Sequence, residues 1–310
     1  MLLWMSLVNI IPLLLGVALA AGCWFVRPAL GRLSSFVIIA SCAMLYALPW
    51  FAGDNIALRG ATTLACCAIL APKLLDAGIS PDTWNAFSFR EWMRYVLNPF
   101  VLCYRRHLSE TPRTAERNRG LLVRGVLEVF VGGTLLTWAF SVDWTHSSVR
   151  LEHVTKLVGA YLTFFDGGFV LANGLLGLTG VAYMEFSRHP VLARTPADFW
   201  RRYNRDAGRF LQEDVYARLG RLPRRAKIGL VFLLNGVLHE YLVLVMTGHV
   251  VGVLVAFFSL QAVAVILTWR LRLSGLTAVA GVILTIVFNV TSTVLFFLAI
   301  NRIFPWYVDR

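Results

Sequence analysis

Residues 228–246 read IGLVFLLNGVLHEYLVLVM: nineteen positions with one acidic side chain and no Lys or Arg. At about 1.5 Å per residue the run covers about 28 Å as a helix, close to the roughly 30 Å hydrocarbon thickness of a bilayer. Basic sequence precedes it (Arg224, Arg225, Lys227) and a short polar turn, Thr247–Gly248–His249, follows. A transmembrane helix is predicted. Working outward, seven further apolar runs suit the same reading: Leu3–Val26, Ser35–Phe51, Ala57–Leu75, Leu121–Phe140, Leu157–Val181, Val250–Trp269 and Leu276–Ile303. The run at 157–181 is weakened by Asp166 and the glycines Gly167, Gly168, Gly174, Gly177 and Gly180, so a broken or cavity-lining span is one expectation there.

Composition agrees. Of 310 residues, 58% are hydrophobic and 15% charged. Ordinary soluble domains carry about a quarter charged residues, and a chain this apolar lacks the polar side chains to cover a soluble core. Disorder, coiled coil and collagen are excluded on the same grounds. The apolar runs are continuous rather than alternating, which disfavours a β-barrel. The predicted fold class is all-α: a polytopic transmembrane bundle of about eight spans, with cytoplasmic interfacial helices and a membrane-buried active-site cavity. Residues 1–310 are read as one integral-membrane domain.

The formal charge is +12, with 29 Lys and Arg against 17 Asp and Glu. In a soluble protein that excess would suggest nucleic acid. Here the cations sit between apolar runs, where the positive-inside rule accounts for them. With the N-terminus outside, segments 27–34, 72–124, 182–227 and 270–275 are cytoplasmic and hold 24 of the 29; Arg59, Arg150, Lys156, Arg302 and Arg310 lie outside. This places the chain in a cell membrane, with long basic segments at about 76–120 and 182–227 facing the cytoplasm. Arg outnumbers Lys 26 to 3, a bias of GC-rich genomes that points to a bacterial inner membrane. The first run has no Lys or Arg before Arg27, so a retained span is expected rather than a cleaved signal. No Cys-x-x-Cys pair occurs among Cys23, Cys42, Cys66, Cys67 and Cys103, so neither a zinc site nor a disulfide framework is expected.

Two stretches carry chemistry. Thr195-Pro196-Ala197-Asp198 is a helix start: a Thr cap, Pro at the first helical position, and an acidic residue three positions after the cap. If the helix runs on, Trp200 and Asn204 share a face, and Arg201, Arg205 and Arg209 form a basic stripe beside it. Such a stripe suits phosphates or lipid head groups, and equally a positive-inside anchor. In the run at 228–246, His239 lies eleven residues after Ile228, about 16 Å along the helix and so near the bilayer midplane. An ionisable group there is a functional candidate. Asn235, four residues earlier, faces the same side, and Glu240 follows directly. Of the other histidines, His107 and His189 are placed in cytoplasmic segments, and His146, His153 and His249 on or near the outside.

The combination resembles the membrane-bound O-acyltransferase superfamily, and its wax-synthase-like branch most closely. The resemblance rests on DFWRRYN (198–204) followed, 35 residues after its Asn, by the His of NGVLHE (235–240), with HPVLARTPADFW before and VYARL after. Tyr203 stands where many members have Trp. The resemblance implies a catalytic pair, His239 as general base and Asn204 as a second catalytic residue. Trp200, Arg201, Arg205, Asn235 and Glu240 become candidate substrate-binding residues. It implies acyl-CoA as donor and a hydroxyl acceptor, a long-chain or other lipid alcohol, with a sugar, glycan or natural-product hydroxyl as the alternative. No metal, no cofactor beyond the donor and no nucleic-acid partner are expected. The chemistry suits the residues. A neutral buried imidazole can take the hydroxyl proton, an Asn amide can donate to the oxyanion, and a membrane cavity excludes water. The competing class is a transporter using His239, Glu128 and Asp166 as a polar pathway, although its usual signature, two similar halves, is not evident.

Overall fold

The computed structural model describes residues 2–26, 34–79, 88–99, 101–102, 114–178 and 185–308. Among them there is no strand. The principal helices are α1 (Leu2–Val26), α2 (Ser34–Ala47, tightened into a 3₁₀ turn at Leu48–Phe51), α3 (Ile56–Ile79), α4 (Phe89–Leu97), α5 (Ala115–Ser141), α6 (Val149–Leu178), α7 (Pro196–Arg202), α8 (Arg205–Phe210), α9 (Arg224–Thr247), α10 (Val253–Thr268) and α11 (Gly275–Ile300). Among the described residues five of these, α3, α5, α6, α9 and α11, are long and apolar enough to cross a bilayer; Phe36–Phe51 and Val253–Thr268 are shorter apolar helices. Large apolar side chains point outward, among them Leu276 at 88% exposure and Phe36 at 71%. Water would penalise such a surface, and lipid does not.

The chain divides into two compact units. The first comprises Met1–Leu108, Arg209–Gly220 and Leu238–Val251; the second comprises Ser109–Gly208, Arg221–Val237 and Gly252–Arg310. In the first unit, Cys23, Leu45, Cys66, Leu70, Leu74, Trp92 and Tyr95 belong to one buried core. Helix α4 is amphipathic and self-capped. The Ser88 hydroxyl accepts from the Glu91 N–H while Glu91 accepts from the Ser88 N–H, and Trp92, Tyr95 and Val96 are buried beneath exposed Arg90 and Arg94. Lys73 corrects the sequence reading, which counted it among loop cations. It is buried within α3, and its ammonium donates to the carbonyls of Tyr95, Val96 and Asn98, capping the end of α4.

In the second unit, α5 and α6 pack at backbone contact. A Cβ on Gly125 would lie 2.4 Å from the Leu171 nitrogen, and one on Gly174 would lie 2.7 Å from that of Leu122. Small residues bring apolar helices this close in lipid.

Helix α6 departs from expectation in three ways. It starts at Val149 rather than near Leu157, because Ser148 caps it and the two charges in its first turns cancel: Lys156 Nζ lies 2.7 Å from Glu152 Oε1, both buried. Lys156 is therefore a buried, paired helical residue rather than a loop cation. His153 is likewise buried. The Tyr307 hydroxyl lies 2.7 Å from its Nδ1, and the Val290 carbonyl lies 2.9 Å from its Nε2. Finally, the glycine-rich stretch does not break the helix. It widens into a π-helical turn at Tyr161–Asp166 and then continues.

Candidate active site

The segment around α7 begins as the sequence predicts. The Thr195 hydroxyl accepts from the Asp198 N–H at 3.1 Å, with Pro196 at the first helical position. Asp198 closes the turn by accepting from the Arg194 N–H at 3.1 Å and from Arg202 Nε at 3.0 Å. Partial burial raises the Asp198 carboxyl, but these bonds and the charges of Arg202 and Arg201 outweigh it and hold the group below its ordinary range. Its contribution to stability is therefore complete above the ordinary carboxylate pKa of about 3.9 and is lost as pH falls through the lower folded value. We expect Asp198→Asn to cost about 1 kcal/mol at pH 7, in line with loss of a helix-start contact. The difference in melting temperature from the native chain should shrink below about pH 4. A gap that stayed constant down to about pH 3 would mean that the charge contributes nothing.

Helix α7 is anchored to its own unit by specific bonds. The Ala197 N–H donates to the Thr268 hydroxyl at 3.2 Å, and the Arg194 guanidinium donates to the Leu273 carbonyl at 3.0 Å. Trp200 Nε1–H donates to Gln261 Oε1 at 3.0 Å, and Gln261, 1% exposed, donates onward to the Ser292 hydroxyl at 2.8 Å. Its ring packs against Tyr203, Phe232 and Phe258. The polar atom of Trp200 is thus committed to holding α7 on α10 and α11.

Past Arg202 the structure corrects the single continuous helix assumed from sequence. Tyr203 leaves the helix in an extended conformation and stacks on Phe199 at 5.3 Å. Asn204 takes φ +40°, the left-handed region, and α8 starts at Arg205. Trp200 and Asn204 therefore do not share one helical face, and Arg201 on α7 does not continue a single helical stripe with Arg205 and Arg209 of α8. The kink is fixed on both sides: the Arg188 N–H donates to the Arg202 carbonyl at 2.9 Å, and the Arg205 N–H donates to the Phe186 carbonyl at 2.7 Å. The Asn204 carboxamide makes no hydrogen bond among the described residues. Burial pushes the Tyr203 phenol well up, so its hydroxyl stays protonated. Arg205 donates to the Glu185 carbonyl at 3.1 Å, whereas the Arg201 side chain is 70% exposed.

Helix α9 is unbroken from Arg224 to Thr247, so Asn235, His239 and Glu240 ride on one rod. Asn235 falls in the second compact unit, His239 and Glu240 in the first. His239 is half-buried. Its neighbours on either side along the chain are held firmly. Glu240, 6% exposed, accepts from the Val251 N–H at 2.5 Å and so ties the helix to the hairpin that follows. The Tyr241 hydroxyl donates to the Tyr46 carbonyl and accepts from Trp50 Nε1–H at 3.0 Å.

A further polar group lies on α5 and α6. Arg124 Nε donates to Glu128 Oε1 at 2.7 Å, and Arg124 Nη2 donates to Asp166 Oδ2 at 3.0 Å. The sequence reading noted the two carboxylates but missed their shared arginine. The signal was present: Arg124 and Glu128 are four apart on an apolar helix. No group of three or more potential metal-ligating side chains occurs among the described residues.

With no strand and five membrane-length helices among the described residues, and with polar side chains placed inside those helices, the molecule is an integral membrane protein. The sequence model of the membrane-bound O-acyltransferase family matches residues 117–300, well over half the chain and including α7, Asn204 and His239. The chain belongs to the membrane-bound O-acyltransferase family, and its activity is accordingly acyl transfer to a hydroxyl in the membrane. That membership displaces the transporter reading. No curated protein matches the chain significantly.

Proposed function

We propose that the chain moves an acyl group from acyl-CoA to a lipid alcohol in the manner of the wax-synthase-like branch, as a single functional domain of a bacterial inner membrane with segments 76–120 and 182–227 cytoplasmic. The observation that carries this reading is Asn204. It is a non-glycine residue in the left-handed region, clamped by backbone bonds on both sides, with a carboxamide that no described residue occupies. Strain of this kind persists where the surrounding structure imposes it, and it clusters at functional sites.

In the proposed reaction the acceptor oxygen attacks the thioester carbonyl while His239 takes its proton. The Asn204 amide donates to the developing oxyanion. Collapse breaks the carbon–sulfur bond, and the imidazolium returns the proton to the departing thiolate, giving ester and free CoA. Arg201 and Arg205 are assigned to the donor phosphates, and Asn235 to substrate contact. Trp200 and Glu240, whose polar atoms are bonded within the fold, are assigned to positioning the substrate-binding elements. No metal or further cofactor takes part.

Purified protein supplied with radiolabelled acyl-CoA and a panel of alcohols should yield labelled ester and free CoA in equal amounts. Release of CoA with no ester on any alcohol would overturn the reading. Arg201→Ala should raise the acyl-CoA KM about tenfold with little change in kcat, since a phosphate contact far from the reacting carbon contributes uniform binding. A collapsed kcat with unchanged KM would instead place Arg201 among the reacting groups.

A further inference from the structure

We propose that Arg224, Trp269 and Arg270, where the start of α9 meets the end of α10, form a binding site for the phosphate of an anionic phospholipid. The assignment does not depend on the acyl-transfer reading.

The geometry is a pair of guanidinium groups on one indole. The Arg224 guanidinium carbon lies 3.9 Å from the centre of the Trp269 ring, and that of Arg270 lies 4.5 Å from it. The two carbons are no farther apart than those distances laid end to end, a span that one phosphate bridges by accepting on separate oxygens. Stacking uses the flat face of a guanidinium. It leaves open the in-plane N–H fork, the part that pairs with phosphate oxygens. Both arginines are exposed, and neither side chain makes a hydrogen bond or ion pair among the described residues.

Charge makes this arrangement unfavourable while it is empty. Two cations share one ring, and Arg194 brings a third to the same turn by donating to the Leu273 carbonyl at 3.0 Å. Helix α9 opens with Arg224, Arg225 and Lys227 and has no acidic residue in its first turn, so these cations sit at the positive end of the helix dipole. No Asp or Glu occurs at 221–237 or 252–308, the stretches of this unit that hold both arginines. Asp198, which accepts from the Arg194 N–H, is already paired with Arg201 and Arg202. The positive-inside rule accounts for cations in these segments, but it does not require them to converge on one side chain. An anion from outside the chain supplies the missing charge.

The surroundings favour a lipid over a soluble anion. Leu222, Leu267 and Leu271, close to the arginines along the chain, are all exposed. Trp269 closes the apolar helix α10, and Trp at such a position marks the boundary between hydrocarbon and head groups. A ligand with an anionic head and acyl chains covers the arginines and the leucines together. Inorganic phosphate or a nucleotide covers the arginines alone.

The test uses the full chain in detergent, with phosphatidylglycerol and phosphatidylcholine of identical acyl chains as probes and with coenzyme A and inorganic phosphate as competitors. Lipid retained per chain is counted by native mass spectrometry over a titration of each probe. We expect phosphatidylglycerol to bind about tenfold tighter than phosphatidylcholine, the scale of one hydrogen bond to a charged group. Arg224→Gln and Arg270→Gln should each remove most of that preference. Arg225→Gln and Arg272→Gln remove the same charge away from the indole and should change the preference by no more than about twofold, the scale of an isolated exposed charge. Lipid-free melting temperatures of all four variants should match the native chain, which separates lost binding from lost fold. Equal binding of the two lipids would overturn the proposal. So would equal losses in all four variants, which would make the effect one of diffuse surface charge. Displacement of phosphatidylglycerol by an equimolar amount of coenzyme A or inorganic phosphate would also overturn it, by assigning the arginines to a soluble phosphate.

Discussion

Replacing His239 by Ala is expected to lower acyl transfer by about 10²- to 10⁴-fold, the usual cost of a lost general base, while leaving expression, insertion and melting temperature nearly unchanged. One imidazole in a helix of Leu, Val and Phe contributes little to bilayer insertion, and the adjoining Glu240 and Tyr241 hold this part of α9 through the Val251 N–H, Tyr46 and Trp50. His239→Gln keeps a hydrogen-bonding side chain without basicity and should be equally inactive. His153 is the informative control, because it too lies in a membrane-length helix and is buried there. Both of its ring nitrogens are engaged, with Tyr307 and with the Val290 carbonyl, so it is unavailable as a base. His153→Gln should therefore lower the melting temperature more than turnover. Radiolabelled ester formation with a parallel thermal scan of each variant checks all three. A His239→Gln protein that kept most of its turnover would make His239 structural and remove the proposed base.

The contrast between the two histidines shows what the sequence made legible. Membrane helices were readable because an apolar run of about twenty residues is a one-dimensional property. The eight apolar runs correspond in position to helices, five of which, among the described residues, have the length and hydropathy of a full span. The cap of α7 was readable because Thr195, Pro196 and Asp198 act within one turn. The burial of His153, Lys156 and Lys73 was not legible because a polar group near the end of an apolar run has two physical solutions, solvent or a buried partner. The deciding partners, Trp306 and Tyr307 for α6 and Tyr95 and Asn98 for α3, are distant in sequence. The break at Tyr203–Asn204 was missed for a related reason. Phe199-Trp200-Arg201-Arg202 is good helical sequence, and what stops it is tertiary: the stacking of Tyr203 on Phe199 and the backbone bonds from Phe186 and Arg188. The pairing of Arg124 with both Glu128 and Asp166 likewise needed α5 and α6 side by side.

Asn204 offers a test that separates backbone from chemistry. At φ +40° a non-glycine side chain is strained, and Asn tolerates this region better than most residues. Two explanations for its presence therefore compete: the kink needs a residue at ease with positive φ, or the reaction needs a carboxamide. Glycine adopts positive φ freely, so Asn204→Gly should keep the melting temperature or raise it slightly. Asn204→Ala should cost about 1 kcal/mol in stability from the left-handed penalty. Both lack the amide, and if it donates to the oxyanion both should lose about 10²- to 10³-fold in kcat. Asn204→Asp keeps the shape and the turn preference but turns a donor into a negative acceptor facing a developing negative charge, so it should be no better than Ala. The pattern expected is a stable, inactive glycine variant and an equally inactive aspartate variant. If the glycine protein instead retained turnover within about threefold, less than the loss of one oxyanion donor, Asn204 would be a turn residue only. The observation on which the proposed mechanism rests would then concern folding rather than catalysis.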